Sequence, residues 1–209
     1  MSQTLPEHVA DQSKVEKKVI NDFCITFSTV NGSGSATANT LILKALFRMG
    51  IPVSGKNIFP SNIQGLPTWY SIRLSKDGYL ARVDMDDIVV VMNPATISSE
   101  VEYLKPGGVM FYSDDIHFDV PREDIITYPM PVKQLVKNAD VPPNLRDYVA
   151  NMVYVGVVAQ MIGIEFDALH DCLNAHFEGK KKAVNSNLAI IKAAADWAAQ
   201  NLVKRDPYY

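Results

Sequence analysis

The 209-residue sequence has few cysteines and no long apolar segment, and both shortages exclude kinds of protein. Its two cysteines, Cys24 and Cys172, lie far apart and in no paired metal-ligand spacing, so this chain alone is predicted to hold no iron–sulfur cluster. An isolated cysteine in a strand is usually a small buried hydrophobe, so neither is predicted to be a nucleophile. No apolar stretch approaches the roughly 20 residues that cross a bilayer, so no membrane span is predicted.

The sequence also lacks an excess of positive charge, since its formal net charge is −3. Binding to nucleic acid needs clustered Lys and Arg to neutralise phosphates, so the charge argues against a nucleic-acid partner. The one basic run, Lys180–Lys182, is interpreted as a solvated helix face. Residues 1–18 are polar and charged and lack the apolar region of a signal peptide, which predicts a cytoplasmic location.

The most informative segment is a strand, a glycine turn and a helix. The apolar run Phe23–Val30 is typical of a strand, residues 31–37 read Asn-Gly-Ser-Gly-Ser-Ala-Thr, and residues 38–49 show helical periodicity before Gly50, a plausible C-cap. Glycine accepts positive φ and a close ligand, and a helix start favours anions. The turn is therefore a candidate phosphate cradle. The alternative is a turn that only packs the strand against the helix.

Strands and helices alternate after this turn. The patterns predict an irregular segment over residues 54–67 and a β-hairpin from residues 69–74 and 79–83 around a turn at 76–78. A β-branched run at 88–92 is typical of a strand buried on both faces of a parallel sheet. A helix over 96–104, a turn over 105–108 and strands over 109–113 and 124–128 are expected next. This order predicts a three-layer α/β/α fold with a largely parallel sheet and a hairpin extension.

The C-terminal part is predicted to be helical. Helices are expected over residues 144–163, 164–178 and 183–202, the first of them buried because Val153, Val157 and Met161 recur at helical spacing. Residues 204–209 have no core pattern and are interpreted as the start of a linker or tail. The predicted organisation is a polar segment over 1–18, one domain over 19–203, and this tail.

An acidic loop containing His117 invites a metal-binding interpretation. Its carboxylates, Asp114, Asp115 and Asp119, share no rigid spacing with the histidine, and such loops are more often solvated. No metal site is predicted.

Several loops together resemble the gamma domain of 2-oxoacid:ferredoxin oxidoreductases. They are Asn31-Gly32-Ser33-Gly34, the segment from Lys56 to Tyr70, Asn93-Pro94, and Leu104-Lys105-Pro106-Gly107-Gly108. The helical segments from Asn151 to Gly163 and from Lys182 to Ala189 fit the same family. The resemblance covers nearly the whole chain. It is nearest to the amino-terminal part of the alpha subunit in the two-subunit 2-oxoglutarate-type enzymes.

The resemblance implies a component of an enzyme that decarboxylates a 2-oxoacid on thiamine diphosphate, reduces ferredoxin through an iron–sulfur cluster and releases an acyl-CoA. Thiamine diphosphate, Mg and the cluster are then expected in partners, namely the remaining alpha-subunit domains and the beta subunit. Catalytic residues are accordingly expected elsewhere, and this domain is expected to help enclose coenzyme A. The implied contacts are Gly32, Ser33, Gly34, Ser35, Ser61, Asn62, Gln64, Gly65 and Asn93, with the glycine turn and the 61–65 loop side by side.

The chain departs from the family pattern at Asn62 and Gln64, where many relatives are basic. Charge toward CoA phosphates would then come from Lys56 or Arg73, because charge-assisted hydrogen bonds are the strong ones. Surface from Phe59, Leu66, Trp69 and the helix around Val153–Met161 is predicted to pack against a sister domain. The alternative function is a free-standing nucleotide-binding or interaction module of the same fold with no redox role.

Overall fold

The computed structural model describes residues 17–60, 63–118, 122–139, 141 and 145–209. Within these residues the chain forms one six-stranded sheet and seven α-helices. In chain order the elements are β1 (Asp22–Val30), α1 (Ser35–Arg48), β2 (Val53–Ile58), β3 (Pro67–Ser75), β4 (Asp86–Val91), a 3-10 helix (Pro94–Thr96), α2 (Ile97–Tyr103), β5 (Leu104–Ser113), β6 (Ile126–Met130), α3 (Val132–Asn138), α4 (Arg146–Val149), α5 (Asn151–Ile162), α6 (Phe166–His176) and α7 (Lys181–Asn201).

The sheet is mixed but largely parallel, as predicted. Its strand order is β2-β3-β1-β4-β5-β6. The pairs β1–β4, β4–β5 and β5–β6 are parallel, whereas β3 runs antiparallel to both β1 and β2. The chain therefore leaves β1 toward one edge of the sheet and leaves β4 toward the other, so the strand order reverses between these two neighbours.

The two faces of the sheet carry different residues, because side chains alternate along each strand. Phe23, Ile25 and Phe27 of β1 belong to the main core, which α1, α5, α6 and α7 also build. On the second face, Val89 and Val91 of β4 pack with α2 in a smaller core. The three-layer α/β/α prediction is confirmed.

Helix α5 lies at the centre of the main core. Eleven of its twelve residues are buried, so it is shielded by neighbours rather than facing a bilayer or solvent. It packs closely on α7, where a Cβ built on Gly156 would lie 2.2 Å from the carbonyl oxygen of Ile191. In the described part of the chain, no helix is long and apolar enough to cross a membrane.

The first strand of the predicted β-hairpin is present as β3, but its partner is not the strand that was expected. Strand β3 pairs with β2 and β1, while residues 79–83 form no strand. Residues 53–58, expected to be mostly irregular, supply the partner strand instead. Short Gly- and Lys-containing runs such as β2 carry little apolar signal, and pairing with a buried neighbour decides their structure.

Other boundaries moved for similar reasons. The turn expected over 105–108 lies within β5, where Gly107 adopts a φ of +76° and its N–H donates to the carbonyl of Asp124. The strand expected at 124–128 is observed as β6 at 126–130, and α3 was not predicted. The helix expected over 144–163 is divided into α4 and α5 at Ala150.

Residues 204–209, interpreted as the start of a linker or tail, pack against the domain. Asp206 and Tyr208 are buried, and Tyr209 N–H donates to the carbonyl of Val19 at 2.8 Å. The hydroxyl of Tyr128 donates to Asp206 Oδ2 at 2.9 Å. Because polar contacts hold this short segment, its sequence shows no apolar periodicity that would predict its burial. The domain boundary proposed at residue 203 stays a prediction.

The contact between α5 and α7 generates a stability prediction. We expect Gly156→Ala to lower the free energy of unfolding by about 2 kcal/mol, because the added methyl group overpacks the contact between α5 and α7. This destabilisation is expected to exceed the stabilisation that alanine gives through its higher helix propensity. Urea unfolding followed by circular dichroism measures this change. Asn185→Ala, at an exposed position of α7, is the control and should stay within about 0.5 kcal/mol of the unsubstituted chain. An unchanged or raised stability for Gly156→Ala would contradict the close packing.

Candidate functional site

Three segments of the chain meet at the edge of the sheet where β1 and β4 end. Residues 31–34 follow β1, and Asn93 follows β4 two residues after its last strand position. Residues 63–66 precede β3, whose antiparallel direction brings its start to the end of β1, with Val30 opposite Pro67. The sequence therefore delivers the glycine turn and the following loop to the point where the strand order reverses, which is where open α/β sheets bind ligands.

The glycine turn leaves the start of α1 open to a ligand. Gly32 and Gly34 both adopt a φ of +83°, a conformation that other residues rarely take. Gly34 is the N-cap of α1, no side chain caps the helix, and its first turn carries no acidic residue. The Ser33 hydroxyl is buried with no hydrogen-bond partner among the described residues. Free N–H groups and the helix dipole favour an anion at this position.

Helix α5 holds the glycine turn in place. Asn151 donates through Nδ2 to the carbonyl of Ser33 at 2.7 Å, and the Tyr154 hydroxyl donates to Asn39 Oδ1 at 2.8 Å. From β1, Thr29 Oγ1 donates to Ser35 Oγ at 2.9 Å. Burial raises the pKa of the Tyr154 phenol well above its ordinary value, so this group stays a neutral donor. Hydrogen bonds from α5 and β1 thus hold the turn and the start of α1.

The loop before β3 lies against the glycine turn. Asn31 N–H donates to Leu66 O at 2.8 Å, Gly65 N–H donates to Asn31 O at 3.0 Å, and Asn31 Nδ2 donates to Ile63 O at 3.1 Å. A Cβ built on Gly32 would lie 2.8 Å from Gln64 Cγ. The predicted adjacency of turn and loop is thus present at residues 63–65. The predicted contacts Ser61 and Asn62 lie outside the described residues.

Asn93 is buried and occupied within its own turn. Its Oδ1 accepts from the N–H of Ala95 at 3.0 Å, and its Nδ2 donates to the carbonyl of Thr29 at 3.5 Å. The first bond closes the turn after β4, and the second ties the end of β4 to the end of β1. This role positions the edge of the sheet, and contact between Asn93 and a cofactor stays a prediction.

Two cavities open on either side of Gly34. The smaller, of about 270 Å³, lies between the turn and the strands β2 and β3. The larger, of about 600 Å³, lies between the start of α1, α4 and the start of α7. The larger cavity is mainly apolar and has two lysines; its principal lining residues are Thr37, Leu145, Tyr148, Met152, Phe177, Lys180, Lys182 and Asn187.

The positive charge at this site comes from lysines that were predicted to form only a solvated helix face. Lys180 and Lys182 are exposed, as expected, but they line the larger cavity beside Gly34. The run of lysines at a predicted helix start was a visible signal. Its proximity to a glycine turn far earlier in the chain depends on tertiary structure, which local sequence patterns do not predict.

The two cations expected to face the phosphates are placed elsewhere, so that expectation is wrong. Arg73 pairs through Nη2 with Asp22 at 2.6 Å, beside the start of β1 and away from the turn. Lys56 lies between Gly55 and Asn57 on β2. A Cβ built on Gly55 would contact Leu43 of α1, and Asn57 lines the smaller cavity. Side chains alternate along a strand, so Lys56 points to the opposite face of the sheet.

The predicted sister-domain surface is partly absent. Val153 and Met161 are at most 4% exposed, because α5 is enclosed by its own domain, so this part of the prediction is wrong. Phe59 and Leu66 are 53% and 40% exposed and stay available. Trp69 is half-buried and its indole N–H donates to Glu100 Oε1 at 2.5 Å. Its role as an interface anchor stays a prediction.

The described residues contain no group of three or more His, Cys, Asp or Glu that could hold a metal ion. Cys24 and Cys172 are both buried, and burial raises the pKa of each thiol. A raised thiol pKa disfavours the thiolate that nucleophiles and metal ligands use. Neither thiol lines a cavity beside Gly34.

The sequence matches one protein family over most of its length. The family model described as pyruvate ferredoxin/flavodoxin oxidoreductase matches residues 24–197. The ketoisovalerate oxidoreductase subunit VorA of Methanothermobacter marburgensis is 25% identical over 122 residues, which are 57% of this chain and 24% of that relative. The matched part of the chain therefore spans about a quarter of the relative's length.

Two solved structures share the fold. The 2-oxoglutarate:ferredoxin oxidoreductase from Magnetococcus marinus, solved with 2-oxoglutarate, coenzyme A and succinyl-CoA bound, has a TM-score of 0.80 and 26% identity, covering 92% of this chain and 33% of that chain. The gamma subunit of a keto/oxoacid ferredoxin oxidoreductase from Geobacter sulfurreducens has a TM-score of 0.68 and 18% identity, covering 85% of this chain and 99% of that subunit. The fold thus occurs both as a third of a longer chain and as a separate subunit.

The hydrogen bond between α5 and α1 is open to a direct test. We expect Tyr154→Phe to lower the free energy of unfolding by about 1–2 kcal/mol, because it leaves the buried Asn39 carbonyl oxygen without its donor. Chemical unfolding measures the change, and Tyr103→Phe, at a residue 58% exposed, is the matched control with no expected effect. Equal stabilities for the two variants would show that the Tyr154 hydroxyl does not anchor the turn.

Proposed function

The chain belongs to the pyruvate ferredoxin/flavodoxin oxidoreductase family, and we propose that it is the gamma domain or subunit of a thiamine-diphosphate-dependent 2-oxoacid:ferredoxin oxidoreductase. Its 2-oxoacid is 2-oxoglutarate. The observation that carries this assignment is the likeness to the Magnetococcus marinus enzyme over 92% of the chain. The product of such a reaction is an acyl-CoA, formed as ferredoxin is reduced.

The proposed role of this chain is non-catalytic. It covers only a third of the Magnetococcus marinus chain, so the proposal assigns thiamine diphosphate, Mg and the iron–sulfur cluster to the remaining alpha-subunit domains and the beta subunit. Ferredoxin is reached through the assembled complex, in the cytoplasm. The two separated, buried cysteines agree with a cluster held elsewhere.

Coenzyme A is the proposed ligand of the glycine turn. When bound, it supplies the thiol that carries the acyl group away as a thioester. The residues present fit such a ligand: the uncapped start of α1 can accept a phosphate, and Lys180 and Lys182 can add charge-assisted hydrogen bonds. The apolar lining from Met152 and Phe177 suits the uncharged parts of the molecule.

Gln64 and its loop have a proposed positioning role. The loop is held to the turn through Asn31, so Gln64, Gly65 and the preceding Ser61 and Asn62 are proposed to border the same ligand. Neutral side chains there would orient coenzyme A by hydrogen bonds, while the lysines across Gly34 supply the charge. This division explains how a loop without basic residues can serve a phosphate-bearing ligand.

The first test asks whether the chain is part of the enzyme. We expect an affinity-tagged chain, isolated from its native cells, to co-purify with thiamine-binding partners and to support CoA-dependent reduction of a viologen dye with 2-oxoglutarate. The chain purified alone should show no such activity and no iron–sulfur absorbance. Ketoisovalerate and pyruvate are the comparison substrates. A chain that co-purifies with no redox partner, and yields no 2-oxoacid-dependent reduction, would instead favour the free-standing module.

The second test addresses the coenzyme A site in the assembled enzyme. We expect Lys180→Ala combined with Lys182→Ala to raise the KM for coenzyme A by about tenfold, because two charge-assisted contacts to phosphate are lost. Asn62→Ala combined with Gln64→Ala should raise it less. The KM for the 2-oxoacid should not change.

Lys192→Ala is the matched control for lost charge on α7, since Lys192 pairs with Asp196 at 3.0 Å and does not line the cavity. It should leave both KM values unaltered. If the lysine variant assembles fully and its KM for coenzyme A is unchanged, the proposal that coenzyme A binds on this side of Gly34 is wrong.

A further inference from the structure

The second face of the sheet encloses polar side chains where the main core has apolar ones. Thr26 and Ser28 of β1 and Ser71 of β3 are all buried there, and Thr26 Oγ1 donates to Ser71 Oγ at 3.2 Å. The irregular residues 79–85 and helix α2 contribute to the cover over this region. Ser28 Oγ lies 2.6 Å from Thr96 Oγ1, so these buried hydroxyls are hydrogen-bonded, as burial of a polar group requires.

A cavity of about 480 Å³ opens over these hydroxyls. It lies over the second face of the sheet and shares no lining residue with the larger cavity beside Gly34, whereas Trp69 lines both it and the smaller cavity. Three acids and one arginine line it with two aromatic rings: Asp84, Asp86, Glu100, Arg82, Trp69 and Tyr103. Its lining therefore carries a formal charge of −2 when all four groups are ionised. An anion such as coenzyme A would be repelled.

Asp86 is placed at this cavity with part of its hydrogen-bonding capacity unused. The residue is 2% exposed, and its Oδ1 has no hydrogen-bond partner among the described residues. Its Oδ2 forms an ion pair with Arg82 Nη2 at 3.9 Å, and Thr26 is a side-chain hydrogen-bond partner of the same carboxyl. The neighbouring Asp87 differs, since its Oδ2 accepts from Cys24 N–H and its Oδ1 accepts from Lys105 Nζ, both at 2.8 Å.

Glu100 supplies a second buried carboxylate on α2. It is 5% exposed, and its Oε1 accepts the indole N–H of Trp69. Burial raises the pKa of both the Asp86 and the Glu100 carboxyls, because desolvation disfavours their charged forms. A buried carboxylate oxygen that lacks a donor is the kind of group a cationic ligand satisfies.

The arrangement favours an extended cation over a metal ion. The described carboxylates do not converge as a metal-ligating group. A guanidinium spreads its charge over a plane with five N–H donors, binds carboxylates at more than one edge and stacks on aromatic rings. Trp69 and Tyr103 supply the rings, and the volume exceeds what a bare ion or a single water needs.

We propose that this cavity is a binding site for a guanidinium group, held between Asp86 and Glu100 and against Trp69 and Tyr103. The site does not depend on the coenzyme A proposal, because it shares no lining residue with the cavity that holds Lys180 and Lys182 and it selects the opposite charge. The guanidinium belongs either to a free small molecule or to an arginine side chain of a polypeptide, and the test separates these sources.

Trp69 makes the test direct. The sequence has two tryptophans, so Trp197→Phe leaves Trp69 as the sole indole fluorophore in the full chain. Titration with argininamide should then change Trp69 emission saturably, whereas citrullinamide, which is of similar shape but uncharged, should not. Asp86→Asn and Glu100→Gln should each weaken argininamide binding by about tenfold, because each removes a charge-assisted contact.

Asp167→Asn, at an exposed position of α6, is the control for the change in net charge and should bind as the parent does. Circular dichroism melting checks the folds, and Asp86→Asn should melt no lower than the parent because it removes a buried charge. No saturable response to argininamide, an equal response to citrullinamide, or undiminished binding by both carboxylate variants would overturn the proposal.

A second titration identifies the source. Acetyl-Ala-Arg-Ala-amide binding at least as tightly as argininamide shows that a polypeptide arginine fits, with acetyl-Ala-citrulline-Ala-amide as its control. Binding of argininamide alone shows that the mouth of the cavity admits only a small molecule. Either result supports the guanidinium site, and failure of both probes refutes it.

Discussion

The position of α5 constrains nearly every functional feature of this domain. The helix is enclosed between the sheet and α7, and contact at Gly156 allows the two helices to approach so closely. Its polar residues Asn151 and Tyr154 both turn toward the start of α1, where they bond to Ser33 and Asn39. Because a buried donor must find an acceptor, the packing of α5 and the shape of the glycine turn depend on each other. A rigid turn with free N–H groups is the result.

The two faces of the sheet are chemically opposite, and this separates two kinds of ligand. At the carboxyl ends of β1 and β4, an uncapped helix start and two lysines border the proposed coenzyme A site. On the second face, buried carboxylates and aromatic rings border the proposed guanidinium site. Alternation along β1 produces the difference, since Phe23, Ile25 and Phe27 build the main core while Thr26 and Ser28 face the other side. One strand therefore supports two sites without mixing their charges.

Long periodic elements and the glycine turn were predictable from the sequence, because local patterns determine them. Strand β1, helix α1, strand β4 and the three C-terminal helices followed from apolar periodicity, and the turn from Gly32 and Gly34. Partners in space were not predictable. The pairing of β3 with β2, the docking of Tyr208 beside β1 and the approach of Lys180 to Gly34 each depend on contacts between distant residues. The cavity under residues 79–85 was missed for the same reason, since Asp84 and Asp86 come from one segment and Glu100 from another.

The most direct test of the account is hydrogen–deuterium exchange of the assembled enzyme with and without coenzyme A, because amide protection reports binding without any substitution. We expect protection of residues 31–39, at the glycine turn and the start of α1, together with residues 63–66 and 180–187. Residues 79–86 should not change, since they border the cavity on the other face. Protection confined to other domains, with the glycine turn exchanging as before, would contradict the claim that this domain presents its turn to coenzyme A.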